Sequence, residues 1–303
     1  MRHILFLLLS FNACDCGSDE GPGRFDGSSG DGAGDGDGTA GADRSEADGE
    51  GCNPPDMLIV LDSTMSMSRL PNGGTPANTP AGRAESKWAL AVTAIEAFTS
   101  ALEGTIRFGL ERFPRNPGGN VCVTVEERLR NMRASNPECE EGQILVPPDA
   151  ITAAAIANAI DPETTELCVT TPIAPALMTA TDALAGIRVA GRDQYVALIS
   201  DGIDTCVETA VLPAVQALAR AGVKTYAIGF AATGGIDPAM LNDAACGGQT
   251  APDFPAGCVD DGSGNFRAAD PGGPALYLTA EDGARLAMAL EAVARQICCD
   301  CVI

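Results

Sequence analysis

The chain has 303 residues, a mass of 30.9 kDa, and 41 Asp plus Glu against 19 Lys plus Arg, for a formal net charge of -22. So acidic a chain lacks the basic footprint that a sequence-independent grip on nucleic acid requires. Its single histidine, His3, lies in a segment read below as cleaved, so the mature protein holds no Ser-His or Cys-His nucleophile pair and no His-ligated metal.

In chain order, a short basic end precedes the apolar stretch Ile4–Phe11, which is far too short for the ~30 Å core of a bilayer. It fits the hydrophobic part of an export signal. The following Phe11-Asn-Ala-Cys14 resembles a bacterial lipoprotein cleavage box, in which a small residue precedes the cysteine that receives the lipid. Phe11 and Asn12 depart from the leucine and small residue preferred there. The expectation is a signal peptide over 1–13 and a lipid on Cys14, with a soluble secreted protein as the alternative. Residues 14–51 read as a tether: 12 glycines lie between Gly17 and Gly51, and residues 15–50 carry 11 acids and two arginines. Such a segment cannot bury enough apolar surface to offset its chain entropy. Its Asp31–Gly38 run fails as an EF-hand loop, because Ala33 and Ala42 stand where an acid and the closing glutamate belong.

The body, 52–303, alternates short apolar runs with helical patterns. Met57–Leu61 is a continuous apolar run, as expected of a strand buried on both faces. The spacing of Trp88, Ala91, Val92, Ile95, Phe98 and Leu102 predicts a helix over 86–102. A strand over 106–113 stops at Pro114, and an Ala/Ile helix is predicted over 149–160, after Pro147-Pro148. A helix over 174–186, a strand over 195–200, a helix over 212–221 closed by Gly222 and a strand over 225–230 follow. A short helix over 238–245, a strand over 276–279 and a helix over 281–297 complete the series. This order implies an α/β fold, a doubly wound and mostly parallel sheet with helices on both faces.

Ligands of such sheets gather beyond the carboxyl ends of the strands, where strand order reverses. Three loops there carry short oxygen-bearing side chains: Asp62-Ser-Thr64-Met-Ser66, Thr170-Thr171-Pro172, and Asp201-Gly202. Asp62 and Ser66 taken alone read equally well as turn caps. The three loops together supply the oxygen donors that a hard divalent cation prefers.

On these residues the chain resembles the von Willebrand factor type A (vWA) domain. Its metal-ion-dependent adhesion site reads Asp-x-Ser-x-Ser after the first strand, a threonine in a Thr-Pro turn, and an aspartate in a Ser/Thr-Asp-Gly turn. Leu61-Asp62-Ser-Thr64-Met-Ser66-Met67, Thr171-Pro172 and Ser200-Asp201-Gly202 stand in those places. Thr64 replaces the family's first serine but keeps its hydroxyl, and Met65 stands where glycine is common. Gly222–Phe230, Leu241-Asn242 and Gly247-Gly248 extend the likeness over about 56–297. The resemblance implies a Rossmann-like three-layer fold and Mg²⁺, with Mn²⁺ or Ca²⁺ as alternatives, held by Asp62, Thr64, Ser66, Thr171 and Asp201. The ion's open position takes a carboxylate from a partner protein, so the expected function is binding and not catalysis.

The chain's twelve cysteines are scattered, and fit disulfides of an oxidising compartment better than reduced thiolates. In a fold whose ends lie close, Cys52 is expected to bridge to Cys298, Cys299 or Cys301. Local bridges are expected for Cys122 with Cys139 and for Cys246 with Cys258, and a Cys168–Cys206 bridge would tie two metal loops together. The terminal Cys298–Cys301 cluster is the one place suited to a soft metal. The leading reading is an exported module of a bacterial envelope, reaching the membrane only through its lipid. Two other classes are a scaffold whose metal site only stabilises the fold and a Mg²⁺-dependent phosphoryl-transfer hydrolase using Asp62. The latter lacks a second acid at Thr64, a phosphate loop and a histidine base.

Overall fold

The computed structural model describes residues 53–115, 139, 141–162, 165, 167–206, 210–232 and 235–299, without the side chains of 298 and 299. The signal, the tether, Cys14, Cys52, Cys122 and Cys301 lie outside the described residues, as do the side chains of Cys298 and Cys299. The elements in chain order are β1 (Asp56–Asp62), a 3₁₀ turn (Met65–Ser68), α1 (Pro80–Arg83), α2 (Lys87–Ala101), β2 (Arg107–Phe113), β3 (Gln143–Asp149), α3 (Ala153–Ala159) and α4 (Ile173–Gly186). There follow β4 (Gln194–Ser200), α5 (Val211–Arg220), β5 (Val223–Phe230), α6 (Pro238–Gly247), β6 (Cys258–Asp260), β7 (Phe266–Ala268), β8 (Leu278–Ala280) and α7 (Gly283–Cys299).

Six strands form one sheet in the order β3-β2-β1-β4-β5-β8, with β3 antiparallel to β2 and every other pair parallel. β1 is apolar from Met57 to Leu61 because it is covered on both sides. Met57, Ile59 and Leu61 pack with Trp88, Ile95 and Phe98 of α2 and with Leu290, Val293 and Ile297 of α7. Leu58 and Val60 share the opposite core with Leu177 and Leu184 of α4, Val215 and Leu218 of α5, and Leu241 of α6. The expected doubly wound, three-layer architecture is therefore present. Among the described residues no helix is long and apolar enough to cross a membrane.

Side-chain caps fix where several helices begin. Ser86 accepts from the Ala89 amide to open α2, and Asp237 accepts from Ala239 and Met240 to open α6, with Pro238 in its first turn. Buried Asn242 holds the loop leading to β8: its amide donates to the Pro271 and Pro274 carbonyls and its oxygen accepts from the Leu276 amide.

The structure corrects some expectations. The segment expected to start a helix at Asp149 is first an edge strand, β3, and helix α3 begins only at Ala153. Pro147 and Pro148 lie within β3, where an edge position leaves missing amides without a ladder to break. Gly109 of β2 makes room for them, since a Cβ there would sit 2.7 Å from Pro148. The last strand is Leu278–Ala280, and a small hairpin, β6–β7, precedes it unforeseen. Of the expected bridges, Cys246–Cys258 forms. Cys206 pairs with Cys139 and with neither arrangement foreseen, which overturns both Cys122–Cys139 and Cys168–Cys206. Cys168 is disulfide-bonded as well, though not to Cys206.

Candidate metal centre

β1 and β4 are neighbours, so their carboxyl ends stand side by side at the point where the strand order reverses. Asp62 ends β1 and is fully buried. One of its oxygens, Oδ1, accepts from the Thr64 amide at 2.9 Å, which turns the chain into the loop; the other, Oδ2, accepts from Ser200 Oγ at 2.7 Å. That second bond ties the ends of the two strands together.

Beyond the turn, Thr64 Oγ1 and Ser66 Oγ lie 2.6 Å apart, and Ser66 Oγ donates to Asp201 Oδ1 at 2.7 Å. A hydroxyl has one proton, so Thr64 is the donor to Ser66. Asp201 follows β4 directly and is buried. Its Oδ2 is in ion contact with Lys87 Nζ, also buried, from the first residue of α2.

Thr171 completes the cluster. A Cβ placed on Gly202 would lie 3.7 Å from Thr171 Oγ1 and 4.0 Å from Asp62 Oδ2, so all three loops meet around Gly202. The Thr171 segment is held in register by backbone bonds. The Cys168 amide donates to the Ser63 carbonyl at 3.0 Å and the Met65 amide donates to the Cys168 carbonyl at 2.6 Å. Thr171 and Thr205 also bind each other, amide to Oγ1 at 2.8 Å and amide to carbonyl at 3.0 Å. Asp204 joins the same lacing, accepting from the Ala174 and Cys206 amides, and the Cys139–Cys206 bridge anchors the far end of that loop.

The structure thus brings together all five residues expected as metal ligands. Two more were not foreseen: Ser200, which couples Asp62 to β4, and Lys87. Ser200 lay in view inside the Ser-Asp-Gly motif. Lys87 carried no signal, since helical spacing does not show that its face meets another strand's loop.

Burial first, and the Asp201 charge second, push the Asp62 carboxyl up from 3.8 to about 7, against the lowering effect of its Ser200 and Thr64 hydrogen bonds. Two carboxylates in a dry setting repel one another, and a divalent cation between them removes that cost. The donor set is two carboxylates and three hydroxyls, all oxygen, which suits a hard ion. Among the described residues there is no cluster of three or more His, Cys, Asp or Glu side chains placed to hold a metal ion. The five oxygens fit the expected group.

Met65 is 49% exposed, and beside it a groove of about 700 Å³ is lined by Met65, Ser66, Ser68, Arg69, Pro76 and Arg83. Arg69 donates to Thr75 and Arg83 to Asn78, so both guanidiniums are held along this groove.

No protein-family model matches the sequence, and no curated protein matches it. Two solved structures, a pilin and an adhesin, share the fold. The PilB minor pilin of Streptococcus sanguinis aligns with a TM-score of 0.55 at 13% identity, over 83% of this chain and 63% of that one. The pilus adhesin SpaC of Lactobacillus rhamnosus GG, in its open conformation, aligns with a TM-score of 0.50 at 13% identity, over 82% of this chain and 30% of that one. The SpRpn10 VWA domain aligns over 58% of this chain and 75% of its own, with a TM-score of 0.40 at 10% identity. The chain spans less than two thirds of the pilin and of the adhesin. The sheet order, the antiparallel edge and the layered helices are those of a doubly wound, vWA-like fold, and the pilin and the adhesin share it.

Proposed function

We propose that the protein is an exported, adhesion-type binding module that takes a carboxylate of a partner protein through a divalent cation. Asp62, Thr64, Ser66, Thr171 and Asp201 would hold the ion, and Mg²⁺ or Mn²⁺ fits their oxygen donors. The observation that carries this reading is the convergence of three sequence-distant loops on one buried, oxygen-only cluster that opens onto a groove. A pilus adhesin among the proteins of like fold is in keeping with it.

Electrostatics restricts the partner. The tether carries -9 of the formal charge and Arg2 carries +1, so the body holds -14 and repels acidic surfaces at long range. Attraction for a partner's acid must therefore be local, from the bound ion and from Arg69 and Arg83 beside it. In this reading a lipid on Cys14 and the acidic tether hold the module to a bacterial envelope while letting it reach outward.

Thermal melting of the exported chain, first in EDTA and then in Mg²⁺, Mn²⁺ or Ca²⁺, tests the ion site. A site filled at about 100 times its dissociation constant adds about 2.7 kcal/mol. Asp62→Asn removes one ligating charge while leaving the Lys87–Asp201 pair in place, and is expected to abolish that gain. An equal gain in the wild type and the variant would mean that cations bind only diffusely to an acidic body, and would overturn the metal-dependent mechanism.

A further inference from the structure

Lys87 stands in its place against two costs. It is the first residue of α2, the end of a helix where a cation is disfavoured by the backbone dipoles. Its side chain is only 6% exposed, and burying an ammonium is expensive unless it is well paired. What meets those costs is Asp201, whose two oxygens are divided: Oδ1 faces the ligand loop through Ser66, and Oδ2 faces Lys87.

This division changes the charge of the site. Asp62 and Asp201 together carry two negative charges when ionised, and a divalent cation between them would leave a neutral centre. With Lys87 counted, the loaded centre carries one net positive charge. We infer that Lys87 is the residue that sets the site's specificity for anions: its fixed charge weakens the hold on the metal and strengthens the loaded site's hold on a carboxylate. The inference rests on the metal reading above. Lys87 adds to the pull of Arg69 and Arg83 on an acidic group at the surface of so acidic a domain, because without it the charges of the ion, Asp62 and Asp201 would cancel.

The two effects have opposite signs, and that is the signature to seek. Mn²⁺ binding to the full chain is read by the loss of the free-ion electron spin resonance signal. Acetate binding to the Mn²⁺-loaded chain is read by the fall in water-proton relaxation as acetate displaces bound water. Lys87→Met is expected to bind Mn²⁺ on the order of tenfold or more tighter, since a like charge is removed from the vicinity of the ion, and to bind acetate weaker by a similar factor. Lys87→Arg keeps the charge and is expected to stay near the wild type in both. Lys87→Gln makes the same charge change as methionine while retaining a donor for Asp201, and serves if the methionine variant does not fold. If Lys87 were only a structural prop, both affinities would fall together in Lys87→Met and Lys87→Gln; that outcome, or no change in either, overturns the inference. Absence of single-site Mn²⁺ binding in the wild type would instead overturn the metal reading on which it rests.

Discussion

The metal-free protein is expected to lose stability as pH rises, and Asp62 is one reason. Its carboxyl sits in a dry pocket facing Asp201, with Lys87 on the far side of Asp201 and hydrogen bonds from Ser200 and the Thr64 amide. A carboxyl raised from 3.8 to about 7 on folding disfavours the ionised folded state by roughly 4 kcal/mol, at about 1.4 kcal/mol per unit. The folded state binds the proton more tightly than the unfolded chain. The stabilisation is therefore complete below the unfolded value of 3.8 and is lost as pH climbs to about 7. Between pH 5 and pH 8 the loss attributable to this group is roughly 2–3 kcal/mol. Urea unfolding in EDTA, without reductant so that disulfides persist, measures it at the two pH values. Asp62→Asn cannot ionise and is expected to remove that share of the slope. Mg²⁺ or Mn²⁺ is expected to act oppositely, stabilising more at pH 8, where no proton competes for the ligand. An Asp62→Asn variant with the pH slope of the wild type would refute the reasoning.

Two further expectations concern parts of the molecule away from the ion. Glu111, in the centre of β2, is fully buried, neither carboxylate oxygen is hydrogen-bonded among the described residues, and burial raises its carboxyl well above the usual range. Its effect has the same sign as that of Asp62, so Glu111→Leu is expected to raise stability by about 1–3 kcal/mol at pH 8 and by less at pH 5, read by the same urea titration. A loss of stability at pH 8 would show that the carboxyl is needed where it lies. Replacing both Cys139 and Cys206 by serine opens a link across 67 residues and is expected to cost about 2–4 kcal/mol. It should also weaken Mn²⁺ binding, because the bridge anchors the loop that carries Asp201. Unchanged melting with unchanged Mn²⁺ affinity would show that the loop is held by its hydrogen bonds alone.

How much of this was legible in the sequence depends on whether the signal was local. β1, β4 and β5 announced themselves because strands covered on both faces need unbroken apolar runs, as Met57–Leu61 shows. The ligand loops could be found because each directly follows a strand or precedes a helix, places where a Rossmann-like sheet puts ligands. β3 was hidden by Pro147-Pro148, which mark a helix entry in most contexts and an edge strand here. The Cys139–Cys206 bridge was hidden because proximity in sequence favours Cys122, whereas the fold lays the segment before β3 against the loop after β4. Gly142, just before β3, is itself tightly enclosed: a Cβ on it would meet Glu111 of β2 at 1.7 Å and the α4 backbone at Ala176 at 3.2 Å.

Lys87 shows what local pattern cannot convey. In sequence it is one polar residue at the start of an amphipathic helix, indistinguishable from those that face water. Only the sheet order reveals its place, because α2 returns from the end of β1 and its first turn faces the loop that leaves β4. The same order holds the ligands in position before any ion arrives: Asp62 is tied to Ser200, Ser66 to Asp201, and the Thr171 segment to Ser63, Met65 and Thr205. Little ordering is then left for the metal to drive. Affinity in such a site is governed by the balance of fixed charges around the ion, two from the carboxylates and one from Lys87. That balance can be changed by a single substitution without moving a loop, which makes charge, more than shape, the property that tunes the proposed binding.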